Sequence, residues 1–122
     1  MNVIVVASQK GGAGKTTLVR SLAVAAEQAY GRAAMLDTDP QGSLTSWWNR
    51  RAAETPHLVK INPSEFSAGI AHLEAARIEH LFVDTPPSVH PEVATLLKHA
   101  TLAVVPVRPS PDVSMPSAAR WL

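Results

Sequence analysis

The segment SQKGGAGKTT, residues 8–17, places three of the chain's six glycines between two lysines. It follows NVIVVA at residues 2–7, a β-branched run that is typical of a strand buried on both faces. It leads into TTLVRSLAVAAEQAYG at residues 16–31, whose apolar spacing predicts a helix closed by Gly31. A glycine-rich loop between a strand and a helix is the setting of a phosphate-binding loop. The segment therefore predicts an α/β fold that binds phosphate groups.

The residue types in this loop suit a nucleotide phosphate site. Glycines allow backbone N–H groups to point at an anion, and the start of the helix adds the positive end of its dipole. In such a loop Lys15 reaches the β- and γ-phosphates, the Thr16 hydroxyl binds Mg²⁺ and Thr17 contacts an inner phosphate. We therefore expect these residues to bind the nucleotide: Gly11, Gly12, Ala13, Gly14, Lys15, Thr16 and Thr17.

The whole chain alternates between apolar, strand-like runs and helix-like segments. Strands are predicted at residues 2–7, 33–39, 57–61, 80–84 and 101–107, and helices at residues 16–31, 43–53, 63–77 and 91–100. Ser43 is the expected N-cap of its helix, Pro63 starts the next one, and a further helix is expected to begin near Asp112 or Ser117. The alternation predicts one domain, residues 1–122, with a mostly parallel sheet covered by helices on both faces.

Composition excludes several classes of protein. The 122 residues are 46% hydrophobic and 17% charged, as in a globular domain, and the formal net charge of +1 does not indicate a nucleic-acid partner. The lack of cysteine excludes disulfides, thiolate metal sites, iron–sulfur clusters and cysteine nucleophiles. The five histidines show no metal-ligand spacing, and the N-terminal apolar run is too short for a signal peptide or a membrane span. We therefore expect a cytoplasmic protein without a membrane partner.

Three aspartates stand where predicted strands end. Asp37 and Asp39 are two residues apart, so in a strand they point to the same side, and Asp84 ends the apolar run HLFVD. Ligands of open α/β sheets bind at the carboxyl ends of the strands, so we expect these carboxylates to face the phosphate loop. Taken one at a time, the segments are equally typical of turn and cap residues.

One departure from the usual phosphate-loop pattern is informative. That pattern has glycine five residues before Gly14, where this chain has Gln9, followed by a second lysine, Lys10. The resulting K-G-G-x-G-K-T-T resembles the deviant Walker A motif of the ParA/MinD family of ATPases. MLDTDPQGS, residues 35–43, resembles the switch motif of that family, and HLFVDTPPS, residues 80–88, resembles its Walker B segment.

The resemblance implies roles for single residues. Lys10 would reach across a nucleotide-sandwiched dimer to the partner's phosphates, while Lys15 serves the nucleotide of its own chain. Asp39 would position or polarise the attacking water, Asp37 would hold a water bound to Mg²⁺, and Asp84 would hold Mg²⁺ through water. The implied catalytic residues are Lys10, Lys15 and Asp39, and the implied metal-site residues are Thr16, Asp37 and Asp84.

Two segments, DPQGSLTSWW and VPVRPSPDVSMPSAA, look more like the small plasmid-partition ParA proteins than the MinD branch, whose C-terminal amphipathic membrane helix has no counterpart here. The resemblance implies binding of ATP and ADP, slow Mg²⁺-dependent hydrolysis and a homodimer that forms on ATP. It also implies a centromere-binding partner protein and nonspecific DNA binding during plasmid or chromosome segregation. The implied location is the cytoplasm, in association with the nucleoid.

Members of that family are longer than this chain, and their C-terminal part supplies adenine contacts, part of the dimer face and much of the DNA-binding surface. We therefore expect a truncated C-terminus and weakened DNA binding. A non-catalytic ParA-like module that acts through dimerisation or partner binding is the alternative, since an unfinished sheet edge is a template for another chain. A biotin-pathway synthetase and a bacterial tyrosine kinase share the signature lysine. DTDPQGS argues against the first, and the single tyrosine, Tyr30, argues against the second.

For a few further residues the sequence predicts only burial or exposure. Of the adjacent Trp47 and Trp48, at least one is expected in the core, and an interface role is the alternative for the other. Arg50 and Arg51 are expected on a solvated helix face, and Arg108 at the surface.

Overall fold

Strands and helices alternate along the chain in a computed structural model that describes residues 1–7, 14–86 and 91–106. The strands are β1 (Asn2–Val6), β2 (Ala33–Asp37), β3 (His57–Val59), β4 (His80–Asp84) and β5 (Leu102–Val104). The helices are α1 (Lys15–Tyr30), α2 (Ser43–Asn49), α3 (Phe66–Ala75) and α4 (Pro91–Lys98), with a short 3-10 turn at Pro63–Glu65 leading into α3. This order confirms the predicted β-α alternation.

All strand pairs of the sheet are parallel, and the strand order is β3-β2-β4-β1-β5. The order places β4 between β1 and β2, so the ends of these three strands are neighbours. In this register Val6 of β1 and Asp37 of β2 both lie opposite Asp84 of β4. The predicted fold class is therefore confirmed, and the carboxyl ends of β1, β2 and β4 lie side by side at one end of the sheet.

Helices cover the sheet on both faces. Side chains of successive strand residues point to opposite faces, so the apolar residues that make up most of β1, β2 and β4 contribute to two hydrophobic cores. One core lies under α1 and α2 and contains Val6, Val19, Ala23, Ala33, Met35, Leu44 and Phe82. The other lies under α3 and α4 and contains Val3, Val5, Ala34, Leu36, Phe66, Leu73, Leu81, Val83 and Leu96.

The ends of several elements differ from the predictions. The bounds of β4 match, but β2 ends at Asp37 rather than residue 39 and β3 ends at Val59 rather than residue 61. The predicted helix at residues 63–77 divides into the 3-10 turn, capped by the Asn62 side chain, and α3, which ends at Ala75. Small shifts also occur elsewhere: β1 ends at Val6, α1 starts at Lys15 and α4 ends at Lys98. Gly31 closes α1 as predicted, with φ 72° and its N–H donating to Glu27 O at 2.9 Å.

The largest correction concerns α2. The helix ends at Asn49 rather than residue 53, because the N–H groups of Arg50 and Arg51 donate to carbonyls only three residues back, at 3.1 and 3.0 Å. Ser43 was predicted as the N-cap, but it is the first helical residue. Gly42 precedes it with φ 65°, a left-handed conformation that favours glycine. The strand predicted at residues 101–107 is too long, because β5 spans only Leu102–Val104 and residues 105 and 106 are not part of it. Residue 107 and the predicted helix near Asp112 or Ser117 lie outside the described residues.

Candidate functional site

A buried ion pair joins the start of α1 to the end of β4. The Lys15 Nζ lies 2.7 Å from Asp84 Oδ1, and the exposed fractions of the two side chains are 6% and 0%. The same ammonium donates to the backbone oxygen of Thr85. The predicted phosphate-binding lysine therefore lies at the carboxyl end of the sheet, in contact with the aspartate of the predicted Walker B segment.

Thr16 completes this contact. Its hydroxyl donates to Asp84 Oδ2 at 2.7 Å, so the first two residues of α1 engage both oxygens of one carboxylate. Gly14 precedes them with φ 76°, which a side chain would strain, although a Cβ there would meet no atom within 4 Å. The conformation brings the chain into α1 without a capping side chain. The N–H groups of the first turn and the positive end of the helix dipole therefore face this end of the sheet.

Burial changes the acidity of the Asp84 carboxyl. Desolvation raises its pKa above the ordinary value of 3.8, and the nearby Asp37 carboxylate acts in the same direction. The hydrogen bonds from Lys15 and Thr16 and the charge of Lys15 oppose that rise. Desolvation is the largest effect, because the charged form loses its hydration and gains only these few partners.

Asp39 lies at the margin of the ion pair. Its Oδ2 is 3.9 Å from Lys15 Nζ, and its side chain is 12% exposed. The expectation that Asp37 and Asp39 share one face of a strand is wrong, because β2 ends at Asp37. Asp39 belongs to the turn that follows: its Oδ1 accepts the N–H of Gln41 at 3.0 Å and its carbonyl accepts that of Gly42 at 2.9 Å. The turn, rather than strand alternation, brings this carboxylate toward Lys15.

Asp37 has other partners. Its Oδ2 accepts both the N–H and the hydroxyl of Thr45, at 2.9 and 2.8 Å, and its Oδ1 accepts the Asp39 N–H at 3.1 Å. Asp37 thus caps the first turn of α2 from the end of β2. The structure brings Lys15, Thr16, Asp39 and Asp84 into one cluster and places the Asp37 carboxylate between that cluster and α2.

Three threonines that the sequence analysis did not single out support the site. Thr38 donates its N–H and its hydroxyl to the backbone oxygen of Asp84, at 2.9 and 2.7 Å. The Thr85 hydroxyl donates to Val6 O at 2.8 Å, and Thr45 holds Asp37. These bonds fasten the ends of β1, β2 and β4 to one another. For Thr38 and Thr85, the sequence signal was the Asp-Thr dipeptide found where β2 and β4 end.

The donor set suits a divalent cation accompanied by phosphate. The Thr16 hydroxyl and the Asp84 carboxylate are adjacent hard oxygen donors of the kind that Mg²⁺ prefers. Within residues 1–7, 14–86 and 91–106, no group of three or more His, Cys, Asp or Glu side chains could hold a metal ion. At nucleotide sites Mg²⁺ completes its ligands with water and phosphate oxygens, which a cation beside Thr16 and Asp84 would also use.

Several residues that the sequence analysis singled out lie away from the Lys15–Asp84 cluster or outside the described residues. Lys10, Gly11, Gly12 and Ala13 lie outside the described residues, as does Arg108, and Thr17 is exposed on α1. Trp47 and Trp48 are both half-buried against the core under α1 and α2. Arg50 is exposed as predicted, whereas Arg51 is half-buried and donates to Thr55 O at 3.1 Å.

In the part of the chain that is described, no helix is long and apolar enough to cross a membrane.

The sequence matches the CobQ/CobB/MinD/ParA nucleotide binding domain family over residues 4–114. The match covers most of the chain, and the chain therefore belongs to this family. ParA/MinD proteins are P-loop ATPases, and the strand order and the Lys15–Asp84 cluster described above fit that class.

Several individual proteins are similar to this chain. It is 33% identical over 111 residues to maintenance of carboxysome distribution protein A of Halothiobacillus neapolitanus, covering 88% of this chain and 51% of that protein. It is 32% identical to the chromosome-partitioning ATPase Soj of Thermus thermophilus, covering 86% of this chain and 54% of that protein. Protein ParA of Rhizobium radiobacter is 32% identical over 112 residues, covering 89% and 50%. The chain thus spans about half the length of the curated relatives it matches.

Solved structures show the same fold. A chain of the MinC:MinD cell division protein complex of Aquifex aeolicus superposes with a TM-score of 0.65 at 18% identity, covering 86% of this chain and 55% of that one. The ParA family ATPase of Chlorobium tepidum superposes with a TM-score of 0.60 at 16% identity, covering 85% and 59%. At these identities the likeness concerns the fold alone.

Proposed function

We propose that this chain is the phosphate-binding part of a ParA-like partition ATPase, which binds ATP with Mg²⁺ and hydrolyses it slowly. The observation that carries the proposal is the convergence of Lys15 and Thr16, at the start of α1, on Asp84 at the end of β4. A lysine, a hydroxyl and a buried carboxylate beside a helix N-terminus are the groups that phosphoryl transfer from ATP requires. Membership of the ParA/MinD family supports the same activity.

The proposed roles follow from what each side chain can do. The loop residues Gly11, Gly12, Ala13 and Gly14, with Thr17, offer groups that bind phosphate oxygens. Lys15 moves from Asp84 to the β- and γ-phosphates. Thr16 is a direct ligand of Mg²⁺, and Asp84 and Asp37 hold waters of that ion. When bound, Mg²⁺ neutralises charge on the phosphates.

Hydrolysis depends on positioning and electrostatics. Asp39 orients the attacking water from the turn after β2, within reach of the phosphate that Lys15 binds. Lys10 of a second chain adds positive charge to the γ-phosphate in the ATP-dependent homodimer. Assembly of the dimer thereby acts as a switch for turnover, because one catalytic charge arrives with the partner.

The biological role is part of the same proposal. We infer an ATP-dependent homodimer in the cytoplasm, associated with the nucleoid, that acts in plasmid or chromosome segregation with a centromere-binding partner protein. Nonspecific DNA binding is part of the same proposal. One relative is named for maintenance of carboxysome distribution, so a role of that kind is also included in the proposal.

One observation favours a second candidate, a non-catalytic module that pairs with another copy of this chain. The described part of β5 pairs with β1 on one side only and forms the edge of the sheet. Leu102 and Val105 are 56% and 52% exposed beside that edge. A free edge flanked by apolar side chains can accept the same strand of a second chain.

Calorimetric titration of the chain with ATP and ADP, with and without Mg²⁺, separates the two candidates when light scattering records the mass. The ATPase proposal expects Mg²⁺-dependent ATP binding, a doubled mass with ATP and loss of binding in Lys15→Ala. The matched control is Lys98→Ala at the exposed C-terminal end of α4, which lies at the end of the sheet away from the Lys15–Asp84 cluster. A dimer that forms equally well without nucleotide, from a chain that does not bind ATP, would establish the module and refute the ATPase.

A further inference from the structure

Trp47 of α2 packs against the core under α1 and α2 but is only half-buried, and two arginines contact its ring. The Arg51 Cζ is 4.6 Å from the centroid of the indole, and the Arg20 Cζ is 5.7 Å from it. Arg20 belongs to α1, and Arg51 follows the end of α2. The tertiary fold thus collects two guanidinium groups from different elements on one aromatic ring.

The charge of this arginine pair is not balanced by carboxylates. Among the described residues, the ion pairs found within 4.0 Å involve neither Arg20 nor Arg51. The only acidic residue of α1 is Glu27, which accepts the Ala33 N–H, and α2 contains none. Cation–π contacts of this kind are individually modest, and two like charges on one ring repel each other.

The hydrogen bonds of Arg51 are also incomplete. Its Nη2 donates to Thr55 O at 3.1 Å, but its Nε is buried without a hydrogen-bond partner. A buried donor without an acceptor is destabilising, and a native structure that retains one invites an explanation. Stacking, rather than a full set of hydrogen bonds, therefore holds this guanidinium in place. The buried Nε is out of reach of another molecule, but the Nη1 group, which makes no hydrogen bond to the described residues, is left as a donor.

We propose that Arg20, Trp47 and Arg51 form a docking surface for an acidic peptide segment of a partner protein. Carboxylates of aspartate or glutamate side chains supply the negative charge that this surface lacks. A guanidinium matches a carboxylate with two parallel N–H···O bonds. Tryptophan and arginine are also the residues that most often dominate the energy of protein interfaces. Arg50, exposed beside Arg51, extends the positive charge.

The geometry favours an acidic peptide over a nucleic acid. Single-stranded nucleic acids bind by stacking bases on free aromatic faces, whereas the Trp47 ring already carries guanidinium groups. Duplex DNA is bound through many phosphate contacts along a basic surface, whereas this cluster has three arginines in a chain of net charge +1. The docking surface also lies outside the Lys15–Asp84 cluster, and the inference does not rest on ATP hydrolysis.

Fluorescence anisotropy of a labelled hexaglutamate peptide with the 122-residue chain tests this directly. We expect salt-sensitive binding, weakened about fivefold or more by Arg20→Gln and by Arg51→Gln singly, and abolished by the two together. Arg77→Gln, at the exposed end of α3 on the other face of the sheet, removes the same charge and should change binding less than about twofold. Circular dichroism of each variant confirms that the fold is retained. Arg20→Gln is the cleaner variant, because Arg51 also bonds Thr55.

Three outcomes would overturn the proposal. The first is no binding of the peptide to the unaltered chain. The second is an equal loss in Arg77→Gln, which would mean a response to net charge rather than a docking surface. The third is tighter binding of a random-sequence DNA duplex through the same two arginines, which would make the surface one for nucleic acid.

Discussion

Lys15 and Asp84 form a buried ion pair with an Nζ–Oδ1 distance of 2.7 Å. Among the described residues, the next carboxylate from the ammonium is that of Asp39, whose Oδ2 lies 3.9 Å away. The ammonium that we propose for phosphate binding thus has an internal anion as its partner. A phosphate must compete with Asp84 for Lys15. Burial raises the pKa of Asp84, so desolvation outweighs the hydrogen bonds and the charge that favour the ionised carboxylate, and this is consistent with an exchange of partner by Lys15.

The first prediction concerns stability. Lys15→Met should lower the free energy of unfolding by about 3–5 kcal/mol, because it leaves a buried carboxylate without its counter-ion. Adding Asp84→Asn should recover much of that loss, since the amide carries no charge. Urea unfolding of the two single variants and the double variant measures the coupling. Simple addition of the two single effects would show that the pair contributes no interaction of its own.

The loss of stability caused by Lys15→Met should depend on pH. Burial raises the pKa of Asp84 above 3.8 in the folded chain, and removal of Lys15 raises it further. Below 3.8 the carboxyl is protonated in both states, so the destabilisation of Lys15→Met is smallest there. The unfolded chain titrates alike with and without Lys15, so the destabilisation grows only above the folded pKa of the unaltered chain and levels off above the higher folded pKa of the variant. The difference in unfolding free energy from the unaltered chain, measured across this range, should therefore increase with pH, and a flat difference would contradict the assignment.

Thr16→Val tests the metal ligand. The substitution keeps the shape of the side chain and removes the hydroxyl that contacts Asp84 Oδ2. We expect the enhancement of ATP affinity by Mg²⁺ to fall roughly tenfold or more, with little change in affinity without metal. Thr95→Val, on the exposed side of α4, is the control. If Thr16→Val responds to Mg²⁺ like the unaltered chain, the hydroxyl is not a ligand.

Asp39→Asn tests the proposed orientation of the attacking water. The amide preserves the turn, which depends on an oxygen that accepts the Gln41 N–H, but it carries no charge. ATP affinity should be retained, while single-turnover hydrolysis falls about 10²-fold or more. Glu54→Gln at an exposed position serves as the charge-matched control. Normal single-turnover kinetics in Asp39→Asn would assign this carboxylate to the turn alone.

Much of this cluster could be predicted from the sequence, because parallel strands end at one edge of a sheet. The end of β4 at Asp84 and the start of α1 within one residue of position 16 followed from apolar runs and loop glycines. The partner of Asp37 could not be predicted. Thr45 is eight residues away, and the contact depends on how the Asp39–Gly42 turn folds back. For the same reason Ser43 was a plausible N-cap in sequence, although Asp37 provides the cap in space.

The last prediction separates two roles of Asp37. As the cap of α2, it accepts two hydrogen bonds from Thr45, so Asp37→Ala should destabilise the chain by roughly 1 kcal/mol. As a holder of Mg²⁺-bound water, it should also contribute to the Mg²⁺ dependence of ATP binding. Thr45→Val removes only the hydroxyl and should lose part of the stability while it keeps the Mg²⁺ response. The two variants therefore differ in metal dependence more than in unfolding free energy. An Asp37→Ala chain that is less stable but titrates with Mg²⁺ like Thr45→Val would leave Asp37 as a structural cap and assign the metal to Thr16 and Asp84.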